Sequence, residues 1–164
     1  MRFLGFAVVA GAVLMGACGG GEKAATDSAA APAAEAAAAP AAAPAAGAMA
    51  PITGTTHEVK LIGDATGYKF EPAELTIKAG DGIKYTFVSG GPHNVAFDPT
   101  MVPAAGKAQL MANMSEQMGE LSGKMMLAAG ESYTISFGGV APGVYEFHCT
   151  PHLAMNMKGK VTVQ

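Results

Sequence analysis

The run YEFHCTPHLAMNMKGKVTV, residues 145–163, places one thiol, two imidazoles and two thioethers between two stretches that alternate apolar and polar residues. Side chains along an extended chain point to opposite faces in turn, so Tyr145, Phe147 and Cys149 share one face while Val144, Glu146 and His148 share the other. The two aromatics belong in a core, and they carry the Cys149 thiol inward with them. His148 is left pointing outward. Pro151 then breaks the strand, the chain turns, and His152 returns beside the thiol. Beyond the turn, Val161 and Val163 resume the alternation. The stretch therefore predicts a strand, a turn rich in metal-ligating side chains, and a second strand.

The same period of two recurs upstream. Leu75 and Ile77 share a face in ELTIKAG, Ile83, Tyr85 and Phe87 in GIKYTFV, and Tyr133, Ile135 and Phe137 in ESYTISF, with Val59 and Leu61 alike in HEVKLIG. Gly, Pro and Asp punctuate these runs at AGDG, SGGP and GGVAPG. Many short strands between such turns predict an all-β fold, a β-sandwich. One segment departs from the pattern. Between Ala104 and Met126, Leu110, Met114, Met118 and Leu121 recur at helical intervals, which predicts a loop insert carrying a short helix. Six methionines lie at positions 101, 111, 114, 118, 125 and 126. Thioethers suit Cu(I), but methionine also fills irregular gaps under a loop, and the second role is the one expected here.

The 164 residues leave room for about one domain. Residues 1–17 read as a signal peptide: Arg2 precedes an apolar run, Phe3 to Met15, shorter than the roughly 20 residues a membrane helix needs. LMGAC, ending at Cys18, resembles a bacterial lipoprotein box, which implies lipidation of Cys18 and a membrane anchor. Residues 18–53 are Ala- and Pro-rich, with prolines at 32, 40, 44 and 51 and almost nothing large enough to bury. They read as a semi-extended linker, and the domain is expected over 54–164. That span carries eight lysines against ten carboxylates, too balanced a charge for a nucleic-acid partner. With Cys18 lipidated, Cys149 has no partner for a disulfide, and an unpaired thiol in an exported protein calls for a reason.

A metal supplies one. His93 follows a Gly-Gly-Pro turn at the end of the Ile83–Val88 run, so it too is expected at an end of the sandwich. His57 lies where the linker meets the first strand and is expected to be solvated; His148 is expected at the surface. One thiolate, two imidazoles and a nearby thioether form the trigonal His2Cys set with a weak axial methionine of a blue-copper centre. Structural zinc favours four strong Cys and His ligands. A nucleophilic Cys–His pair has no need of a second histidine and a methionine.

The segments FEPAELTIKAGD, GPHNVAFDP, AAGESYTISF and FHCTPHLAMNMKGKVTV resemble, in order and over nearly the whole domain, the plastocyanin and pseudoazurin branch of the cupredoxins. The resemblance implies an eight-stranded Greek-key β-sandwich with one type 1 copper. His93, Cys149 and His152 match the family's equatorial ligands. Asn94 matches the residue that hydrogen-bonds between the ligand loops. Met157 matches the axial ligand, since CTPHLAMNM resembles the pseudoazurin loop and Met157 stands just before GKV; Met155 would give the shorter amicyanin-like loop. The family implies docking of redox partners, a cytochrome or a membrane electron-transfer complex, around His152. There Pro92, Leu153, Ala154 and Met155 would form an apolar collar. Two departures stand out: His148 replaces the tyrosine that plastocyanins carry before the ligand cysteine, and no acidic run is present.

The expected function is thus electron transfer by Cu(I)/Cu(II) cycling, not enzymatic catalysis, in an exported lipoprotein on the periplasmic or extracellular side of a membrane. The alternative is copper binding and homeostasis through the methionine-rich insert.

Overall fold

The computed structural model describes residues 47–164. The expected signal peptide, Cys18 and residues 18–46 of the expected linker lie outside them. In chain order the elements are β1 (Thr56–Asp64), β2 (Gly67–Glu71), β3 (Glu74–Ile77), β4 (Gly82–Phe87), β5 (Ala96–Phe97), α1 (Ala104–Asn113), β6 (Ser132–Ser136), β7 (Gly143–His148), a 3₁₀ turn (Thr150–Met155) and β8 (Lys158–Val163). Two four-stranded sheets, ordered β2-β1-β4-β6 and β3-β8-β7-β5, form the expected all-β sandwich. The chain crosses between sheets after β2, β3, β4, β5 and β6, so at most two consecutive strands share a layer. Among the described residues no helix is long and apolar enough to cross a membrane.

The alternation works as the sequence predicts. Ile83, Tyr85, Phe87, Tyr133, Ile135, Phe137, Tyr145, Phe147, Val161 and Val163 are all buried. Phe147 sits at the centre, edge-on to Phe70 at 4.8 Å and to Tyr85 at 5.5 Å between ring centroids. Each such ring contributes roughly 1.5–3 kcal/mol through burial, and the edge-to-face geometry adds to it.

Two poles follow from the register. β1 and β4 run parallel, with Thr56 opposite Gly82, and Gly143 at the start of β7 lies opposite Val163 at the end of β8. The starts of β1, β4 and β7 therefore share one pole with the end of β8. The β1–β2 turn and the ends of β4 and β7 share the other.

The insert after β5 descends to the first pole and climbs back. Its helix has no side-chain cap and no acidic residue in its first turn, so tertiary contacts hold it. Gly106 lies against Tyr145, and a β-carbon there would collide with the tyrosine hydroxyl. The insert carries the expected short helix, which stops at Asn113. Leu110 and Met114 are buried, but Met118 is 65% exposed and Leu121 takes a left-handed φ of 54° in the loop. Of the six methionines, Met114 and Met126 fill the core, Met125 is half-buried, and Met101, Met111 and Met118 are exposed.

Asn113 and Gln109 are buried polar residues of α1. Asn113 Oδ1 accepts from the Ala50 amide at 2.8 Å and from Gln109 Nε2 at 2.9 Å, while its Nδ2 donates to the Ser136 and Gly138 carbonyls, both at 2.9 Å. Gln109 Nε2 also donates to the Ala48 carbonyl, and the Thr53 and Gly54 amides bond to the Gly80 carbonyl. Residues 48–53, which composition assigns to the linker, thus lie strapped against the domain at the first pole, with Ala50 buried.

His57, expected to be solvated, is instead half-buried at that pole, its Nε2 2.9 Å from Asp81 Oδ2. Asp81 also accepts from the Thr55 and Lys78 amides. The His57 bond first, then the two amides, hold its carboxyl down at about 2. A carboxyl depressed from 3.8 contributes stability that is fully present above that value and is lost as pH falls through about 2. Acid unfolding curves of wild type and Asp81→Asn are therefore expected to converge across this window. A gap that persists unchanged to pH 2 would contradict it.

Candidate metal centre

The second pole gathers three donors. β4 ends at Phe87, and the Ser89–Pro92 turn delivers His93, which is fully buried and bridged to Met126 by paired backbone bonds. β7 ends at His148 and hands Cys149 inward, also fully buried. Pro151 lies in the first turn of the 3₁₀ segment, the His152 amide bonds back to the Cys149 carbonyl at 3.1 Å, and the His152 ring comes round to the thiol. Cys149 Sγ lies 3.5 Å from His93 Nδ1 and 3.4 Å from His152 Nδ1, and one ligand atom from each residue falls within 4.8 Å of the others.

The protonation chemistry suits a metal. Ser89 O can only accept, so the 2.8 Å contact from His93 Nε2 places the ring proton there and leaves the Nδ1 lone pair facing the thiol. Burial lowers the pKa of His93 against the opposing Ser89 bond; burial, then the nearby His93, lowers that of His152. Both imidazoles are thereby kept in the neutral, ligating form. Burial pushes the Cys149 thiol up, opposed by the backbone amides of Asn94 and His152, which favour the thiolate. Were a cation held between the imidazoles, Cys149 would bind it as the thiolate, its proton passing to solvent, and the amides of Asn94 and His152 would support the anion.

Asn94 lies beside the cluster. It is buried, its Oδ1 accepts from the Thr150 amide at 2.7 Å, and its Nδ2 donates to Thr150 Oγ1 and Ser122 Oγ. It therefore ties the His93 segment to the Cys149 loop and to the insert. Met157 and Met155 separate clearly. Met157 is fully buried, its carbonyl accepting from the Cys149 amide and its amide donating to the His152 carbonyl. Met155 is 50% exposed. Asn156 between them adopts a left-handed φ of 61°, which turns one side chain out and the next in.

His148 stays outside the cluster. It is half-buried on the other face of β7, where burial lowers its pKa and the nearby Asp98 opposes. It lines an open groove with Asp98, Glu146 and Lys158. His152 is itself 5% exposed, and the expected collar residues Pro92, Leu153, Ala154 and Met155 are all exposed.

Sequence reasoning did not reach Ser89, whose contribution is a backbone carbonyl, nor Ser122 and Thr150, which hold Asn94. Nor did it reach Tyr68 of β2, whose ring stacks on His152 with centroids 3.8 Å apart and planes 15° from parallel. Its signal was its position, two residues before the buried Phe70 on the same strand face.

The donor set fits a transition metal of the thiolate–imidazole class: one buried sulfur and two neutral ring nitrogens already face one another. The family model described as copper binding proteins, plastocyanin/azurin family, matches residues 57–164. The chain is 36% identical over 117 residues to plastocyanin from Prochlorothrix hollandica, covering 71% of this chain and 79% of that one. It is 40% identical over 110 residues to plastocyanin from Nostoc punctiforme, covering 66% and 74%. Among solved structures, the oxidized form of plastocyanin from Dryopteris crassirhizoma superposes with a TM-score of 0.50 at 31% identity, covering 66% of this chain and all of that one.

Proposed function

The chain belongs to the plastocyanin/azurin family of copper-binding proteins, and from that premise we propose that it is a membrane-tethered single-electron carrier whose copper is held by His93, Cys149, His152 and, axially, Met157. The observation that carries this reading is the buried thiol 3.5 and 3.4 Å from two imidazole Nδ1 atoms. Copper bound there supplies a Cu(I)/Cu(II) couple. The protein's part is to hold the donors still: Ser89 fixes one ring, Asn94 ties the two ligand loops, and the backbone bonds of Met157 close the turn. A rigid donor set keeps reorganisation small, which favours fast transfer.

The collar of Pro92, Leu153, Ala154 and Met155 surrounds the ligand nearest the surface and offers a redox protein partner its closest approach, at His152. As a carrier the protein is not an enzyme. The signal-like residues 1–17 and the lipoprotein-box match at Cys18 support export and a lipid anchor, with the domain on the periplasmic or extracellular side. Metabolic labelling with a fatty acid, present in wild type and absent in Cys18→Ala, tests the anchor. The homeostasis alternative requires the insert's methionines to act together. Two of them are core residues, one is half-buried and three are exposed, so no shared environment favours it.

The test of the centre is the visible spectrum of the protein loaded with Cu(II). An intense thiolate-to-copper band that bleaches with reductant and returns with oxidant is expected; a pale product would remove Cys149 from the ligand set. The burial of Met157 and exposure of Met155 give a sharper expectation. Met157→Leu is expected to shift the reduction potential and the band ratio, while Met155→Leu leaves both as in wild type. The reverse pattern, read by voltammetry, would move the axial ligand to Met155.

A further inference from the structure

The two imidazoles of the centre are held in different ways. The His93 ring is fixed by its Nε2 bond to Ser89 O at 2.8 Å. For His152, the thiol is the only hydrogen-bond partner of the ring among the described residues, through Nδ1. Rotation of an imidazole about its last side-chain torsion meets only broad minima. Packing must therefore set the plane of the His152 ring.

Tyr68 supplies that packing. Its ring lies 3.8 Å from that of His152, tilted by 15°, and presents an edge to His93 at 6.2 Å and 62°. The fold clears space for this contact. A β-carbon at Gly63 would come within 2.6 Å of Tyr68 Cε1 and 2.7 Å of Gly90 Cα, and one at Gly90 would collide with the Gly63 backbone. β2 brings Tyr68 to the second pole because it stands next to the β1–β2 turn, on the face that Phe70 anchors in the core. No hydrogen bond to a described residue involves its hydroxyl, so the ring face alone makes the contact.

We propose that Tyr68 is the positioning residue for His152, its stacked ring holding the imidazole plane so that Nδ1 faces the Cys149 thiol before a metal enters. Ser89 does the same for His93 by a hydrogen bond. The centre is thus preorganised by one polar and one aromatic support. This rests on the reading of His152 as a metal ligand. The ring face is the working part, so phenylalanine should replace Tyr68 and leucine, of comparable bulk, should not.

Full-length wild type, Tyr68→Phe and Tyr68→Leu are compared in two ways. In the metal-free proteins, proton NMR should show the His152 ring protons shifted upfield by the stacked ring in wild type and Tyr68→Phe, and released from that shift in Tyr68→Leu. After loading with Cu(II), Tyr68→Phe should keep the wild-type band ratio and lose copper to excess EDTA at a similar rate. Tyr68→Leu should show an altered band ratio and lose copper about tenfold faster, as expected for removal of a ligand's support. A Tyr68→Leu protein matching wild type in both would overturn the proposal, as would Tyr68→Phe behaving like Tyr68→Leu. If Tyr68→Leu does not fold, the wild-type NMR decides: His152 ring protons without an upfield shift relative to those of His57 would overturn it. A wild type lacking the intense thiolate band would sink the ligand reading itself, whereas a wild type with the band and an indifferent Tyr68→Leu would sink only the role of Tyr68.

Discussion

Cys149→Ala is expected to abolish the intense visible band of the Cu(II)-loaded protein and to weaken copper binding by more than about a hundredfold, the upper end of what loss of an outer support costs. The strong absorption of such centres comes from thiolate covalency, and Cys149 is the one free cysteine among the described residues. What remains is a pair of neutral imidazoles and the buried thioether of Met157, enough for weak, pale binding. The fold is expected to survive. The Cys149 amide still bonds to Met157 O and its carbonyl still accepts from His152 N, because both are backbone bonds. Truncating so small a buried side chain costs about 1 kcal/mol. Competitive titration against a chelator, with circular dichroism of the metal-free protein, separates loss of ligand from loss of fold. Retained colour in a folded Cys149→Ala protein would refute the centre as drawn.

Asn113→Ala is expected to destabilise the domain by about 3 kcal/mol while leaving the visible spectrum unchanged. The amide makes four hydrogen bonds, to Ala50, Gln109, Ser136 and Gly138, and is 2% exposed. Removing it strands one backbone amide and two carbonyls without partners in a buried site, and that desolvation cost exceeds the net worth of the bonds themselves. Its partners belong to the pole away from the ligands, so the effects on stability and on the centre should separate. Urea denaturation monitored by circular dichroism reads the first and absorbance the second. A wild-type midpoint, or a displaced band, would show that Asn113 is not an independent structural bracket.

These two residues mark how far the sequence could be read. Cys149 was legible because alternation through Tyr145 and Phe147 left it only an inward direction, and a proline and a histidine followed at loop spacing. The strands around it were legible for the same reason: a period of two is a local signal. Asn113 and Gln109 were not, since polar residues on a helix look solvated until something packs on them. What packs on them is a stretch of backbone from residues 48–50, and a carbonyl has no sequence signature. The short helix of the insert was legible from its apolar spacing, but its end at Asn113 was not, because the Asn113 side chain bonds to segments distant along the chain. His57 gained its partner across the β1–β4 pairing, a contact invisible along the chain. The contact of Tyr68 with His152 joins opposite sheets, so nothing local along the chain announced it.

The strap at the first pole has a practical consequence. The Gln164 amide and carbonyl are bonded to Ile77 and Ala79 beside the strap, so both ends of the described chain emerge at one pole. The six residues of β4 set the donors about 20 Å away from it. A linker, affinity handle or electrode attached through either end would therefore grip the molecule by its insulated side. Direct wiring of the centre to a conducting surface would instead require a graft within the 3₁₀ turn, such as a thiol introduced in place of Ala154. The wild-type arrangement leaves the electroactive face turned toward whatever diffuses past.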